Sequence, residues 1–173
     1  MARNIEIKAR IESVEEIAGK VAAIADRGPI EIAQDDTFFV CERGRLKLRA
    51  FSATEGQLVF YRRANQAGPK ESFFVISPTA SPDSLREALS LAYGQGGRVR
   101  KHRTLYLIGR TRVHLDRVEG LGHFLELEVV LSEGERPEPG IEEAHTLMAS
   151  LGISAAQLIE GAYIDLLPGV TRQ

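Results

Sequence analysis

A chain of 173 residues with a formal net charge of −2 and one cysteine, Cys41, is long enough for a sizeable core and reads as a single domain, residues 1–173. The near-neutral balance gives no global basic field for nucleic acid or an anionic membrane, and one thiol makes neither a disulfide framework nor a zinc cluster. No apolar run approaches the ~20 residues of a membrane span. Arg3, Glu6, Lys8 and Arg10 stand where a signal peptide would need an apolar stretch, so a cytoplasmic location is expected.

The first strand is predicted over residues 4–11, where Ile5-Glu6-Ile7-Lys8-Ala9-Arg10 alternates apolar and charged. Ser13 with Glu16 has capping-box spacing, and Val14, Ile17, Val21 and Ile24 follow at helical intervals, with Gly28-Pro29 expected to close that helix. Strands are then predicted over 35–41, 45–51, 57–63 and 71–76, with Arg43-Gly44 and Glu55-Gly56 as hairpin turns. Ser81-Pro82 opens a second helix that ends at Gly94. Three more strands read out of 98–108, 112–118 and 124–131. Pro137 and Pro139 mark an expected surface loop, 140–151 a third helix, and Ser154 with Gln157 the cap of a fourth reaching about residue 167.

Strand after strand carries its charges on one face. Glu6 and Lys8, then Arg45, Lys47 and Arg49, then Lys101 and Arg103, then Arg112, His114 and Asp116, then Glu126 and Glu128 each recur at a spacing of two. Arg63 shares a face with Tyr61 and Val59, and Lys70 opens the following strand. An antiparallel sheet commonly turns a charged face to water, but a solvated face gains by mixing signs across strands. Here Glu126 and Glu128 stand together, and so do Arg45, Lys47 and Arg49. Same-sign clusters fit a ligand that supplies the missing charge. If the sheet closes into a barrel, these faces point inward. A polyphosphate would then satisfy the cations through charge-assisted hydrogen bonds, while the carboxylates hold Mg2+ or Mn2+ against the same phosphates.

These residues resemble the CYTH superfamily of class IV adenylate cyclases, thiamine triphosphatases and inorganic triphosphatases. The stretches that carry the resemblance are Asn4-Ile5-Glu6-Ile7-Lys8, Asp36-Thr37-Phe38-Phe39, Arg45-Leu46-Lys47-Leu48-Arg49, Tyr61-Arg62-Arg63, Gly68-Pro69-Lys70, Lys101-His102-Arg103 and His114-Leu115-Asp116. The densest match is Val118-Glu119-Gly120-Leu121-Gly122-His123-Phe124-Leu125-Glu126-Leu127-Glu128. The resemblance implies an α+β fold: an eight-stranded antiparallel tunnel barrel, the triphosphate tunnel, with helices packed outside. It implies metal ligation by Glu6, Glu126 and Glu128, phosphate contacts from Lys8, Lys47, Arg49, Arg63, Lys70, Lys101 and Arg103, and a further carboxylate, Asp116, near the metal. Glu6, Lys8 and Asp116 are the catalytic candidates. Asn4 departs from the pattern, standing where the motif usually has its first Glu.

In order and spacing the set looks most like the class IV cyclase branch. That implies a lyase converting ATP to cyclic AMP and pyrophosphate with Mg2+ or Mn2+. A hydrolase acting on inorganic tripolyphosphate or thiamine triphosphate is the alternative, and a non-catalytic polyphosphate- or nucleotide-binding module is a third reading. The expected partner is a small-molecule triphosphate, with no nucleic acid and no membrane; a homodimer is compatible with the resemblance. Cys41 reads as a small hydrophobe, His123 and His145 as surface residues, and His114 as a hydrogen-bonded structural histidine. Tyr163 is expected to pack on the barrel wall, and Arg98, Arg100 and Arg117 to face solvent.

Overall fold

The computed structural model describes residues 2–64 and 66–167. In chain order the elements are β1 (Ala2–Ile11), α1 (Val14–Ile24), β2 (Arg27–Phe39), β3 (Arg45–Ala50), β4 (Gly56–Arg63), β5 (Lys70–Thr79), α2 (Pro82–Tyr93), β6 (Gln95–Ile108), β7 (Thr111–Val118), β8 (Gly122–Val130), α3 (Pro137–Ser150), a 3-10 turn (Ala155–Gln157) and α4 (Tyr163–Leu166). The strands close into an antiparallel barrel in the order β1-β5-β4-β3-β2-β6-β7-β8. Closure leaves no edge strand unpaired. No helix among the described residues is long and apolar enough to cross a membrane.

The period-two alternation separates the two faces of the barrel wall. Ile7, Val113, Leu115, Leu125 and Leu127 point outward and form one buried cluster with Val14, Ile17 and Val21 of α1 and with Leu151 and Ile153 after α3. Ile5, Val129 and Leu131 pack with Ala144 of α3. Each fully buried aliphatic side chain contributes about 1.5–3 kcal/mol, so the helices hold the wall in shape from outside. Ser13 caps α1 by accepting from the Glu16 N–H at 3.2 Å, and the His123 Nδ1 accepts from the Val14 N–H at 2.9 Å.

A second cluster closes one end of the bore. Phe38, Tyr61, Val99 and Phe124 of the strands pack with Ala162, Tyr163 and Ile164. The segment 158–167 is tied in by a bridge between Ala9 and Leu158, by the Ile159 N–H donating to the Lys8 carbonyl at 3.0 Å, and by Arg45 donating to both Asp165 oxygens at 2.6 and 2.7 Å. Arg45 therefore anchors the plug.

Three sequence expectations need correction. Gly28-Pro29 does not follow the first helix as a terminator; it lies inside β2, which begins at Arg27. The register with β6 shifts between Arg27 and Ile30, and Gly28 has φ 113° with the Leu105 carbonyl only 2.7 Å from where a Cβ would sit. A bulge with a glycine lets the strand run on, where a breaker was expected. Pro137 and Pro139 form the first turn of α3, where a missing N–H costs nothing. The fourth predicted helix resolves into the 3-10 turn, an extended piece and the four residues of α4.

Candidate active site

Alternate residues of each strand meet in a cavity of about 430 Å3 inside the barrel. Its wall includes Glu6, Lys8, Lys47, Arg49, Arg63, Lys101, Arg103, Glu126 and Glu128, nine of the eleven residues singled out from the sequence. With Arg112 and Asp36, seven cations face four carboxylates among the described residues. The bore thus carries an excess of positive charge. The other two candidates are elsewhere. Lys70 is buried with its ammonium donating to the Gln66 carbonyl at 2.8 Å. Asp116 shares the inward register but is fully buried beneath two residues of the cavity lining, accepting two bonds from Arg103 at 2.8 and 2.9 Å and one from the Tyr163 hydroxyl at 2.7 Å.

Cross-strand register explains the pairing. Lys8 lies opposite Glu126 and Glu6 opposite Glu128 across β1 and β8; Arg112 and His114 lie opposite Glu128 and Glu126 across β7 and β8. Lys8 is 3.4 Å from Glu126 and sits over the Tyr163 ring, 3.9 Å from its centroid. Arg63 pairs with Glu6. Asp36, which sequence reading left within a motif without a role, is the hub of the opposite wall. It accepts two bonds from Arg49 at 2.8 Å each and one from Lys101 at 3.0 Å, with Lys47 at 3.6 Å. The signal for Asp36 was its spacing of two from Gln34 and Phe38, which also line the bore.

Electrostatics follow from this crowding. Burial lowers Lys101 to about 7 against the attraction of Asp36, and Arg49 adds to the lowering. Burial, then the neighbouring Arg49, brings Lys47 to about 8. Burial alone would raise Asp36, but Arg49, Lys101 and Lys47 together hold it well below the carboxylate range. The same contest holds Glu126 well below, through Lys8, His114 and Arg103, and brings Asp116 to about 2, through Arg103. Burial raises the Tyr163 hydroxyl, and Asp116 raises it further. Asp36, Glu126 and Asp116 are held ionised while burial lowers Lys101 and Lys47, which is how a site awaiting further negative charge behaves.

A second cluster could hold a cation. One donor atom each from His114, Glu126 and Glu128 lie within 4.8 Å of one another. The His114 Nδ1 is 3.0 Å from Glu126 and 3.6 Å from Glu128. Burial, then Arg103, keeps the imidazole neutral, its pKa below the usual value against the pull of both carboxylates. Asn4 is not at a rim: it is 4% exposed, its Nδ2 donates to Glu128 at 3.1 Å, and its Oδ1 is buried without a partner. Two carboxylates and an imidazole fit a divalent ion. Glu6 shares the bore but points its carboxylate to Arg63. His114, expected to be structural, is hydrogen-bonded as expected and is also the nitrogen donor of this cluster. The solvent-facing expectations agree with the structure: Arg98 and Arg100 pair with Asp35, and Arg117 with Glu15, on the outer surface.

The architecture is a closed antiparallel barrel with a plugged, charged bore and a His/Glu/Glu cluster able to coordinate a divalent metal. The CYTH domain family matches residues 2–163, and the chain belongs to that superfamily, the triphosphate tunnel metalloenzymes. It is 25% identical over 170 residues to the adenylate cyclase CyaB of Aeromonas hydrophila, covering 94% of this chain and 87% of that one. The PH1012 protein of Pyrococcus horikoshii OT3 has the same fold, with a TM-score of 0.83 at 24% identity over 95% of this chain and 99% of that one. A Hippeastrum protein described as a putative adenylyl cyclase with a dominant triphosphatase activity also shares it, with a TM-score of 0.63 at 16% identity over 88% and 89% of the two chains.

Proposed function

We propose that the chain is a metal-dependent enzyme acting on a triphosphate in the bore, with ATP as substrate and cyclic AMP and pyrophosphate as products. The observation that carries the triphosphate reading is the cavity itself, plugged at one end and lined by seven cations for four carboxylates. The likeness to an Aeromonas adenylate cyclase supports the cyclase branch.

In this reading Lys47, Arg49, Lys101 and Arg103 hold phosphate oxygens on one wall and Arg63 and Lys8 on the other. Lys70 stands behind them and adds to the positive field. Asp116 fixes the Arg103 guanidinium so that little side-chain entropy is lost on binding. The phosphate raises the pKa of Lys101 and recruits its proton. Glu126, Glu128 and His114, with Glu6 beside them, would hold Mg2+ or Mn2+; the bound ion supplies neutralisation of phosphoryl charge and Lewis-acid polarisation. In cyclisation the ribose 3′ oxygen bonds to the α-phosphorus, the bond to the bridging oxygen breaks, and pyrophosphate leaves with that electron pair. We assign Glu6 to receive the hydroxyl proton.

The open end of the bore bears on the organic part of the substrate. Ile76 and Val130 face the cavity yet are 45% and 42% exposed, and Ile32 and Phe51 join them, half-buried. An apolar lip has no use for inorganic tripolyphosphate, whereas it would cover a nucleoside. It offers few groups to fix an adenine edge, Gln57 and Arg112 being the polar side chains beside it. That observation favours hydrolysis of an organic triphosphate as the second reading, with water attacking a terminal phosphorus.

The test is product analysis. Purified protein is incubated with ATP and Mg2+ or Mn2+ and the products are separated by chromatography, with Glu126→Gln as control. Cyclic AMP with pyrophosphate supports cyclisation, and ADP with orthophosphate supports hydrolysis. Tight binding without turnover would reduce the protein to a binding module.

A further inference from the structure

We propose that His114 makes this site selective for first-row transition ions such as Mn2+ over Mg2+, by giving the ion a direct imidazole nitrogen. The inference rests on the reading that the bore binds a divalent ion, and it concerns which ion the chain's own donors choose.

The geometry is specific. The Nδ1 atom of His114 faces Glu126 at 3.0 Å and Glu128 at 3.6 Å, and these donor atoms span a triangle no wider than 4.8 Å. His114 is 1% exposed, on β7 between β6 and β8, with its ring turned into the bore. Its Nε2 is buried without a partner while Nδ1 faces a carboxylate, so without an ion the ring's proton sits on Nδ1. Nδ1–H donates to Glu126; ligation of an ion by Nδ1 would require the neutral tautomer with its proton on Nε2. Asn4 stands beside this cluster: its amide nitrogen donates to Glu128 and its oxygen is buried without a partner.

The donor set is therefore one nitrogen and two charged oxygens. Mg2+ is small, demands near-ideal octahedral oxygen geometry and gives up its waters reluctantly. A rigid buried imidazole is a poor exchange for a water on that ion. First-row divalent ions accept imidazole readily, with affinity rising from Mn2+ towards Cu2+. Glu6, the cross-strand neighbour of Glu128, is taken up by Arg63, so the cluster offers Mg2+ two carboxylates to compensate for the nitrogen.

The experiment uses the metals alone, without nucleotide. Mn2+ is titrated into the intact protein and its free signal is followed by electron paramagnetic resonance; Mg2+ is then added as competitor. The wild type should release Mn2+ only at an excess of Mg2+ of at least ~30-fold. Pulsed measurements on the bound Mn2+ should show coupling to a directly bonded imidazole nitrogen. In His114→Asn, which sets an amide oxygen near the place of Nδ1, the coupling should vanish and the excess should fall to about 3-fold. The pulsed measurement on wild type stands even if that variant fails to fold. Displacement of Mn2+ by Mg2+ near parity, or bound Mn2+ with no nitrogen coupling, would overturn the inference while leaving the divalent-ion reading in place. A wild type that binds neither ion would overturn both.

Discussion

Replacing Lys101 by Met should make the protein more stable and less able to hold a triphosphate. Lys101 is buried, and a fall in its pKa from 10.5 to about 7 corresponds to about 5 kcal/mol disfavouring the charged form in the fold. The folded value lies below the unfolded one, so the penalty is present in full below pH 7 and fades as pH rises towards 10.5. Met fills a similar volume without charge. Asp36 loses one hydrogen bond at 3.0 Å, which costs about 1–3 kcal/mol, but it keeps Arg49 and Lys47. Lys101→Met should therefore gain about 2–4 kcal/mol at pH 6, and the gain should vanish or turn into a loss of up to about 2 kcal/mol near pH 10. Urea unfolding followed by circular dichroism at pH 6 and pH 9.5 measures both ends. The same variant should bind ATP at least ~10-fold more weakly. Loss of stability at pH 6, or a gain that does not shrink with pH, would refute the view of Lys101 as a strained cation held for a ligand.

Arg103 should behave oppositely. Arg103→Ala leaves Asp116 buried with only Tyr163 as partner, and should cost about 3–5 kcal/mol in the same unfolding assay. Asn4→Glu sets a third carboxylate next to Glu128. It should lower the melting temperature without metal and tighten Mn2+ binding by calorimetry; an unchanged affinity would remove Asn4 from the metal shell. The double variant Phe51→Ala, Ile76→Ser strips apolar cover from the lip. It should raise KM for ATP by roughly 3- to 10-fold and leave binding of inorganic tripolyphosphate unchanged.

The strands that build the site were legible because a barrel wall forces a strict period of two. Glu6 and Lys8, Lys47 and Arg49, Lys101 and Arg103, and Glu126 and Glu128 all line the bore from that pattern alone. What the pattern cannot carry is what lies behind a side chain. Asp116 shares a period with Arg112 and His114, yet Arg103 and Tyr163 cover it from the cavity. Lys70 shares the inward register, yet its ammonium turns to a loop carbonyl. Tyr163 lies more than forty residues from Asp116 in sequence, and no local signal joins them. Local punctuation misled where tertiary packing overrode it. Gly28-Pro29 reads as a stop, but the approach to Leu105 needs a residue without a Cβ within a continuing strand. His114 reads as a hydrogen-bonded structural histidine on the face it shares with Asp116, and only the register with Glu126 reveals its second use.

Phosphorus NMR of ATP with the protein in excess, first without metal and then with Mg2+ or Mn2+, tests the central claim most directly. The account predicts that all three phosphate resonances shift or broaden before metal is added, because the cations of the bore already grip the chain. It predicts that the triphosphate signals are then replaced by those of products once the metal is present. Three unshifted resonances in both conditions, from a protein shown to be folded, would contradict it.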